Sequence, residues 1–190
     1  MAGKTKREIR REVLAVRESL DKTIWKKSSR QIGAKLTKHP LFTAAEHILC
    51  YVSYKREVET VELLKYCLST GKYVYCPRVA GKDMEFYRIF STGELESGFY
   101  GIPEPPGRED RLYHRAEEIR KRSLIVIPGA VVDRQHHRIG YGGGYYDRFL
   151  EKVPGIATVA LAFSFQIQEA IPFDTHDICP QVIITEKGEV

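Results

Sequence analysis

The chain alternates apolar segments of strand length with segments of helical periodicity along most of its 190 residues. The predicted strands cover 47–54, 73–79, 84–90, 124–127, 156–163 and 181–185. The predicted helices between them cover 60–69, 116–120 and 145–152. Strands that alternate with helices are typical of an α/β sheet with helices on both faces. The sequence therefore predicts one three-layer α/β domain over residues 1–190, with residues 101–122 as a surface excursion.

Residues 1–38 differ from the rest of the chain in charge and in pattern. They hold 12 Lys and Arg against 4 Asp and Glu, a net charge of +8, whereas residues 39–190 hold 18 against 21, a net charge of −3. Two helices are predicted here, over 4–20 and 21–38, with Asp21 as the N-cap of the second and Pro40 as its end. We expect these basic helices to pack on the α/β domain.

Helical spacing assigns a buried face to each of the two N-terminal helices. The apolar residues of the first are Ile9, Val13, Val16 and Leu20, and those of the second are Ile24, Ile32 and Leu36. Lys6, Arg10 and Arg17 share a stripe that lies about 60° around the first helix from its apolar stripe. These three cations should therefore border the buried seam.

Composition excludes several classes of protein. Gly and Pro together make up 24 of 190 residues, which is too few for a collagen-like chain, and no bias typical of coiled coils or disorder is present. The longest apolar stretches, such as 156–163, fall far short of the ~20 residues that a membrane span requires. The four cysteines, Cys50, Cys67, Cys76 and Cys179, form no CxxC pair, and three of them lie within apolar segments, so we expect reduced thiols in the core. We expect a cytoplasmic protein.

The most informative segment is PGAVVDRQHHRIGYGGGYYDRFL at 128–150. Its glycines, immediately before a predicted helix, are Gly140, Gly142, Gly143 and Gly144. Such glycines let backbone N–H groups approach an anion, and the helix N-terminus adds a partial positive charge. Arg138 and Arg148 flank the loop and can bind a phosphate. No Gly-Lys-Ser/Thr follows, so this is not a P-loop, and a glycine-rich turn without a ligand remains the alternative.

Carboxylates near this loop suggest a metal ion. Asp147 lies one turn into the predicted helix, where it would repel a bare phosphate unless a cation such as Mg²⁺ lay between them. An ordinary acidic residue at a helix start is the alternative. Asp174 and Asp177 lie in a polar turn before the last strand, and either is a second oxygen ligand or a turn former. Spacing does not choose between them.

Three further sets of residues have two interpretations each. His136 and His137 are neighbours that point apart without a third ligand at zinc spacing, so a solvated loop is favoured over a metal site. The tyrosines around the glycines stack on a planar ligand or belong to the core; they are Tyr141, Tyr145 and Tyr146. Glu57 follows the first strand, at the edge where open α/β sheets bind ligands, and a helix N-terminal acidic cluster explains it equally well.

Motifs spread along nearly the whole chain resemble one known family. They are RIGYGGGYYD at 138–147, preceded by Pro128, Gly129 and Asp133, together with KREIR at 6–10, EVET at 57–60 and GIPEP at 101–105. In this order they resemble the 5-formyltetrahydrofolate cyclo-ligase family, also called 5,10-methenyltetrahydrofolate synthetase. The element at 138–147 is quite specific, whereas the Lys/Arg pattern at 6–10 is weak alone.

The resemblance implies an ATP- and Mg²⁺-dependent ring closure of 5-formyltetrahydrofolate to 5,10-methenyltetrahydrofolate, with release of ADP and phosphate. Phosphorylation of the formyl oxygen makes it a leaving group, and attack by N10 then closes the ring. The protein's task is mainly positioning and charge neutralisation. The resemblance also implies a mixed, mostly parallel sheet.

The resemblance further implies roles for individual residues. The positions matching ATP contacts are Lys6, Arg10, Arg138, Gly140, Gly142, Gly143, Gly144, Tyr145 and Tyr146. The positions matching the folate site are Val52, Glu57, Tyr100, Tyr141 and Tyr145, with Met84 a weaker candidate. Asp147 and Asp177 match the magnesium ligands. Some members carry lysine at the position of Gly143. The phosphate contact of that lysine is absent here or is supplied by Arg148.

Two rival functions remain at the level of sequence. The basic helices of residues 1–38 suggest a nucleic-acid-binding protein, but their charge is interleaved with a core-facing apolar stripe and no aromatic-rich surface accompanies it. A related enzyme on the same scaffold with another phosphate-bearing substrate is the second rival. We favour an enzyme that acts as a monomer on small molecules, without nucleic-acid or membrane partners.

Overall fold

In the computed structural model, which describes residues 4–175 and 177–190, six α-helices surround three β-sheets. The helices are α1 (Lys6–Glu18), α2 (Lys22–Leu36), α3 (Pro40–Ala44), α4 (Val61–Ser69), α5 (Glu117–Arg120) and α6 (Tyr145–Glu151). The strands are β1 (His47–Cys50), β2 (Tyr73–Ala80), β3 (Asp83–Ile89), β4 (Glu96–Ser97), β5 (Pro103–Glu104), β6 (Ser123–Pro128), β7 (Val131–Asp133), β8 (Arg138–Ile139), β9 (Ala157–Leu161), β10 (Ile167–Gln168), β11 (Val182–Thr185) and β12 (Gly188–Glu189).

The main sheet has seven strands in the order β12-β11-β9-β6-β1-β2-β3. Its four central pairings are parallel, and the pairings of the edge strands β3 and β12 are antiparallel. The prediction of a mixed, mostly parallel α/β sheet is thus confirmed. Two small sheets, β10-β7-β8 and β4-β5, were not predicted, because strands of two or three residues are too short to show periodicity.

The core lies on both faces of the main sheet, as expected for three layers. In β6, which is buried throughout, Leu124 and Val126 join the apolar cluster shared with α2 and α4. Ile125 and Ile127 join the cluster on the other face, which contains Phe149 of α6. Because successive side chains of a strand alternate between faces, one apolar strand serves two cores.

The two N-terminal helices form as predicted. Thr5 caps α1 in a capping box with Glu8, and the Asp21 carboxylate accepts hydrogen bonds from two backbone N–H groups at the start of α2. Helix α2 packs on the main sheet, and α1 packs through Val13 on the small sheet that contains β7 and β8. No helix in the described residues is long and apolar enough to cross a membrane.

Several details of the sequence prediction are wrong. Val16 and Ile24, assigned to buried faces, are 50% and 56% exposed, whereas Arg17 is buried. Pro40 does not end the second helix, which stops at Leu36, but occupies the first turn of α3. The first strand ends at Cys50, because the chain then leaves the sheet toward Glu57. Three of the four free cysteines are buried, as expected, and Cys179 is exposed.

Candidate active site

The hairpin of β7 and β8 positions Arg138 at the carboxyl end of the main sheet. Val132 pairs with Arg138 across the hairpin, and the arginine is only 5% exposed. One of its terminal nitrogens donates to the backbone oxygen of Pro128, where β6 ends, at 3.5 Å. The other donates to Asp147 Oδ1 at 2.8 Å. The sequence placed Arg138 beside the loop but did not reveal the strand that fixes it.

The glycine loop that follows leaves room for three guanidinium groups. A Cβ atom added at Gly140 would lie 2.8 Å from Arg138, and one at Gly144 would lie 2.6 Å from Arg148. A Cβ atom at Gly142, whose φ is +97°, would lie 3.3 Å from the guanidinium of Arg10. Side chains at these positions would make the flexible ends of the arginines shift, and the positive φ angles of Gly142 and Gly144 favour glycine there. Arg10 also donates to the backbone oxygen of Gly140 at 3.4 Å.

Lys6 adds an ammonium group beside two carboxylates. It forms ion pairs with Asp174, at 2.6 Å, and with Asp177. Burial lowers the pKa of Lys6, but hydrogen bonds and charges from the two aspartates outweigh it, so that the pKa lies above 10.5. Burial likewise opposes the ionised form of Asp177, yet Lys6 holds the pKa of that carboxyl below 3.8. Both groups are therefore charged at neutral pH.

The two aspartates expected as metal ligands lie in segments that touch. Asp147 Oδ1 accepts a hydrogen bond at 3.3 Å from the backbone N–H of Ile178, the residue that follows Asp177. Their oxygen atoms are of the kind that Mg²⁺ prefers, so the donor set fits that ion. Each carboxylate is already paired with a cation, Asp147 with Arg138 and Asp177 with Lys6. The described residues contain no group of three or more His, Cys, Asp or Glu able to hold a metal.

Glu57 lies in a buried position after β1 and is only 8% exposed. Its Oε2 accepts from the backbone N–H of Tyr54 at 2.8 Å, and its backbone oxygen accepts from the indole of Trp25 at 2.7 Å. Burial raises the pKa of Glu57, although hydrogen bonds from Tyr141 and Tyr54 and the charge of Arg17 oppose that rise. The Glu57 carboxylate does not cap α4, because the hydrogen bond that it accepts comes from Tyr54, ahead of the helix.

Several aromatic side chains lie on or near the glycine loop. Tyr141 is 44% exposed, and its hydroxyl accepts a hydrogen bond from Arg17. Phe99, which sequence reasoning missed, lies with its ring centroid 6.4 Å from Tyr145 and 4.3 Å from Tyr100. Tyr100 is 79% exposed and has a φ of +55°, a costly conformation for a bulky residue. The sequence signal that could have identified Phe99 is the Phe-Tyr pair directly before the GIPEP motif.

Other predicted residues lie deeper. Val52 is buried at the base of the Glu57 segment, and Met84 lies in the core on the face of the sheet that contains α6. Tyr146 contacts both core clusters, and burial raises its pKa well above 10. The ring of Tyr146 therefore packs inward, whereas Tyr145 stacks against the guanidinium of Arg148, 5.1 Å from its ring centroid.

His136 and His137 lie in the turn between β7 and β8, as expected, but both are half-buried rather than solvated. His137 Nδ1 lies 2.9 Å from the buried carboxylate of Asp133, and its ring stacks on Phe173 at 3.9 Å. His136 contacts the backbone oxygens of Pro180 and Val190. The two rings point apart, as adjacent residues should. Their contacts connect the β7–β8 hairpin to the C-terminal segment.

Comparisons with known proteins identify the family. Residues 2–186 match the 5-formyltetrahydrofolate cyclo-ligase family. The mitochondrial 5-formyltetrahydrofolate cyclo-ligase of Arabidopsis thaliana is 30% identical over 98% of this chain and 76% of its own length. The 5-formyltetrahydrofolate cyclo-ligase of Mycolicibacterium smegmatis is 26% identical over 98% of this chain and 96% of its own.

A solved structure agrees with this sequence relationship. The solution structure of Aquifex aeolicus 5,10-methenyltetrahydrofolate synthetase superposes with a TM-score of 0.84 and 33% identity, over 97% of this chain and 91% of its own. The corresponding synthetase of Mycoplasma pneumoniae, 20% identical, shares the fold with a TM-score of 0.74 over 95% of this chain and 98% of its own. The chain belongs to the 5-formyltetrahydrofolate cyclo-ligase family.

Proposed function

We propose that this protein closes 5-formyltetrahydrofolate to 5,10-methenyltetrahydrofolate with ATP and Mg²⁺, as a cytoplasmic monomer. The formyl oxygen takes the γ-phosphoryl group and ADP leaves. N10 then forms a bond to the formyl carbon and loses its proton, and phosphate departs with the former formyl oxygen. The formyl oxygen is a poor leaving group until it is phosphorylated, so the reaction needs two substrates held side by side.

The observation that carries this proposal is the convergence of Arg10, Arg138 and Arg148 on one glycine loop. These cations come from α1, β8 and α6 and occupy the space that side chains at the glycines would fill, and Lys6 of α1 adds an ammonium group paired with Asp177. Such a concentration of charge suits a polyphosphate. Lys6 and Arg10 are engaged with Asp177 and the loop, so these two cations of α1 do not form a separate surface for nucleic acid.

Asp147 and Asp177 would hold Mg²⁺, which supplies further neutralisation of phosphate charge when bound. Lys6 and Arg138 now pair with these carboxylates. When nucleotide binds, we expect the two cations to turn toward its phosphates and so release the carboxylate oxygens. Arg148 reaches the loop beside Gly144, and we assign to it the phosphate contact that a lysine at position 143 makes in some family members.

In the folate site, Glu57 would accept hydrogen bonds from the pterin. The buried Val52 and the rings of Tyr141 and Tyr145, which contact Arg17 and Arg148, would complete this site. The exposed Tyr100 would cover the folate from the side of β5. The rings and the single buried carboxylate suit a flat, donor-rich heterocycle better than a second phosphate.

The deciding measurement is the absorbance of methenyl product, with ATP present and absent. Arg10→Ala should raise the KM for ATP about tenfold or more, the size of one charge-assisted hydrogen bond, with the KM for folate unchanged. Arg11→Ala, an exposed arginine on the same helix, is the matched control. No product from the wild type would reject the function, and equal kinetics of the two variants would reject the role of the loop cations.

A further inference from the structure

Arg17 is the one cation of the α1 stripe that the proposed ATP site does not use. It lies in the last turn of the helix, at i+7 from Arg10, and is only 4% exposed. A buried guanidinium loses its hydration and is retained only where it gains specific partners. The contacts of Arg17 therefore indicate its role.

The partner of Arg17 is Tyr141, in the middle of the glycine loop. A terminal nitrogen of the guanidinium donates to the tyrosine hydroxyl, and the Cζ atom lies 5.4 Å from the ring centroid. Within residues 4–175 and 177–190, no carboxylate forms an ion pair with Arg17, and its Nε is buried without a hydrogen-bond partner. No direct contact with a described carboxylate therefore neutralises the charge of Arg17, and its guanidinium points to the phenol of Tyr141.

Beyond Tyr141 lies the carboxylate of Glu57. A phenol has one proton, and when Arg17 donates to its oxygen that proton is directed to another acceptor. Interaction with the Tyr141 hydroxyl and the charge of Arg17 both lower the pKa of Glu57 and so favour its ionised carboxylate. Burial acts in the opposite direction and raises the pKa of Glu57. The chain Arg17-Tyr141-Glu57 joins the end of α1 to the folate side of the loop.

We propose that Arg17 is a positioning residue for the folate substrate, which orients the Tyr141 hydroxyl and through it holds Glu57 as a charged acceptor. This inference rests on the proposed function, because it takes Glu57 as the folate contact. Arg17 itself touches neither substrate. It also makes α1 bifunctional, since Lys6 and Arg10 serve the phosphates two and three turns earlier in the same helix.

The alternative is that Arg17 only anchors α1. An anchor would contribute to the free energy of unfolding and would affect both substrates alike. A positioning residue changes the folate affinity selectively and loses its effect once Glu57 is no longer charged. These consequences can be separated by measuring binding and stability on the same variants.

The test uses Arg17→Met, which keeps the apolar stem, together with Tyr141→Phe, Glu57→Gln and the double variant of Arg17 and Glu57. We expect Arg17→Met and Tyr141→Phe each to weaken 5-formyltetrahydrofolate binding and to raise its KM about tenfold, with the KM for ATP changed less than twofold. In the Glu57→Gln background, Arg17→Met should add less than about twofold. Arg11→Met, exposed on the same helix, should leave all constants unchanged.

A rise in the ATP KM, or a full additive effect of Arg17→Met on Glu57→Gln, would overturn the inference. If Arg17→Met does not fold, Arg17→Lys replaces it, because lysine keeps the stem and the charge but lacks the guanidinium that orients the Tyr141 hydroxyl, and the same selective rise in the folate KM is expected. Calorimetric titration of 5-formyltetrahydrofolate without ATP separates the two proposals. Folate binding without turnover of the wild type would reject the proposed reaction and still test Arg17, whereas turnover with no selective folate effect would reject Arg17 alone.

Discussion

Two buried carboxylates, Asp133 and Glu57, have opposite electrostatic surroundings. Asp133 is fully buried and accepts four hydrogen bonds, from the backbone N–H groups of Gln135, His137 and Ile171 and from the ring of His137. Burial opposes its ionisation, but these donors outweigh burial and lower the pKa below 3.8. For Glu57, with fewer donors, burial prevails and raises the pKa above 4.5.

The difference separates a structural carboxylate from one available to a ligand. An ionised carboxylate has about four acceptor positions, and at Asp133 the protein itself fills them. At Glu57 the single hydrogen bond from the Tyr54 backbone N–H leaves acceptor capacity unused. A buried acceptor with unused capacity destabilises the free protein and strengthens binding to a donor-rich substrate.

The largest expected effect is on stability at Asp133. Asp133→Ala would leave three backbone N–H groups and His137 without their acceptor, and should lower the free energy of unfolding by about 3 kcal/mol or more. Denaturant titration measures this. Glu169→Ala, whose side chain is 94% exposed, is the control and should unfold like the wild type. A loss below about 1 kcal/mol would mean that the hydrogen bonds at Asp133 do not hold the hairpin.

The next effect is on substrate affinity at Glu57. Glu57→Gln keeps the shape but removes the charge, and should raise the KM for 5-formyltetrahydrofolate about tenfold or more with little change in the KM for ATP. Its free energy of unfolding should equal or exceed that of the wild type, because the neutral amide costs less to bury. If Glu57→Gln instead destabilised the fold as Asp133→Ala does, the two carboxylates would belong to one class.

The sequence reveals the fold better than it reveals this distinction. Apolar runs such as 124–127 are buried in the sheet whatever the details of packing, so periodicity locates them. Periodicity failed at Val16 and Arg17, where the apolar residue is exposed and the cation is buried. The reason is tertiary, since the face of α1 at Arg17 packs against the glycine loop, where the Tyr141 hydroxyl is the available partner.

The motif identified residues of the candidate site but not the contacts between them. The glycines and Arg138 were recognisable from residue type and order, because glycines before a helix let backbone N–H groups approach an anion. The pairing of Lys6 with Asp177 spans 171 residues. No local pattern predicts which distant partner a charge will find, and the short strands β7 and β8 that bring them together leave no periodic signal.

The smallest effect is the dependence of stability on pH, and it should have opposite sign at the two carboxylates. The folded pKa of Glu57 is raised, so its ionisation costs stability above that pKa, and the cost disappears as the pH falls below the unfolded value of 4.5. The folded pKa of Asp133 is lowered, so its contribution is complete above the unfolded value of 3.8 and is lost as the pH falls through the folded pKa.

Urea titrations between pH 7 and pH 3 should therefore show that the advantage of Glu57→Gln over the wild type vanishes by about pH 4.5. The deficit of Asp133→Asn should persist to that pH and shrink only below 3.8. If the free energy of unfolding of the two variants instead followed pH in parallel, the number of hydrogen bonds would not distinguish the two sites, because burial would then act equally on both carboxyl groups.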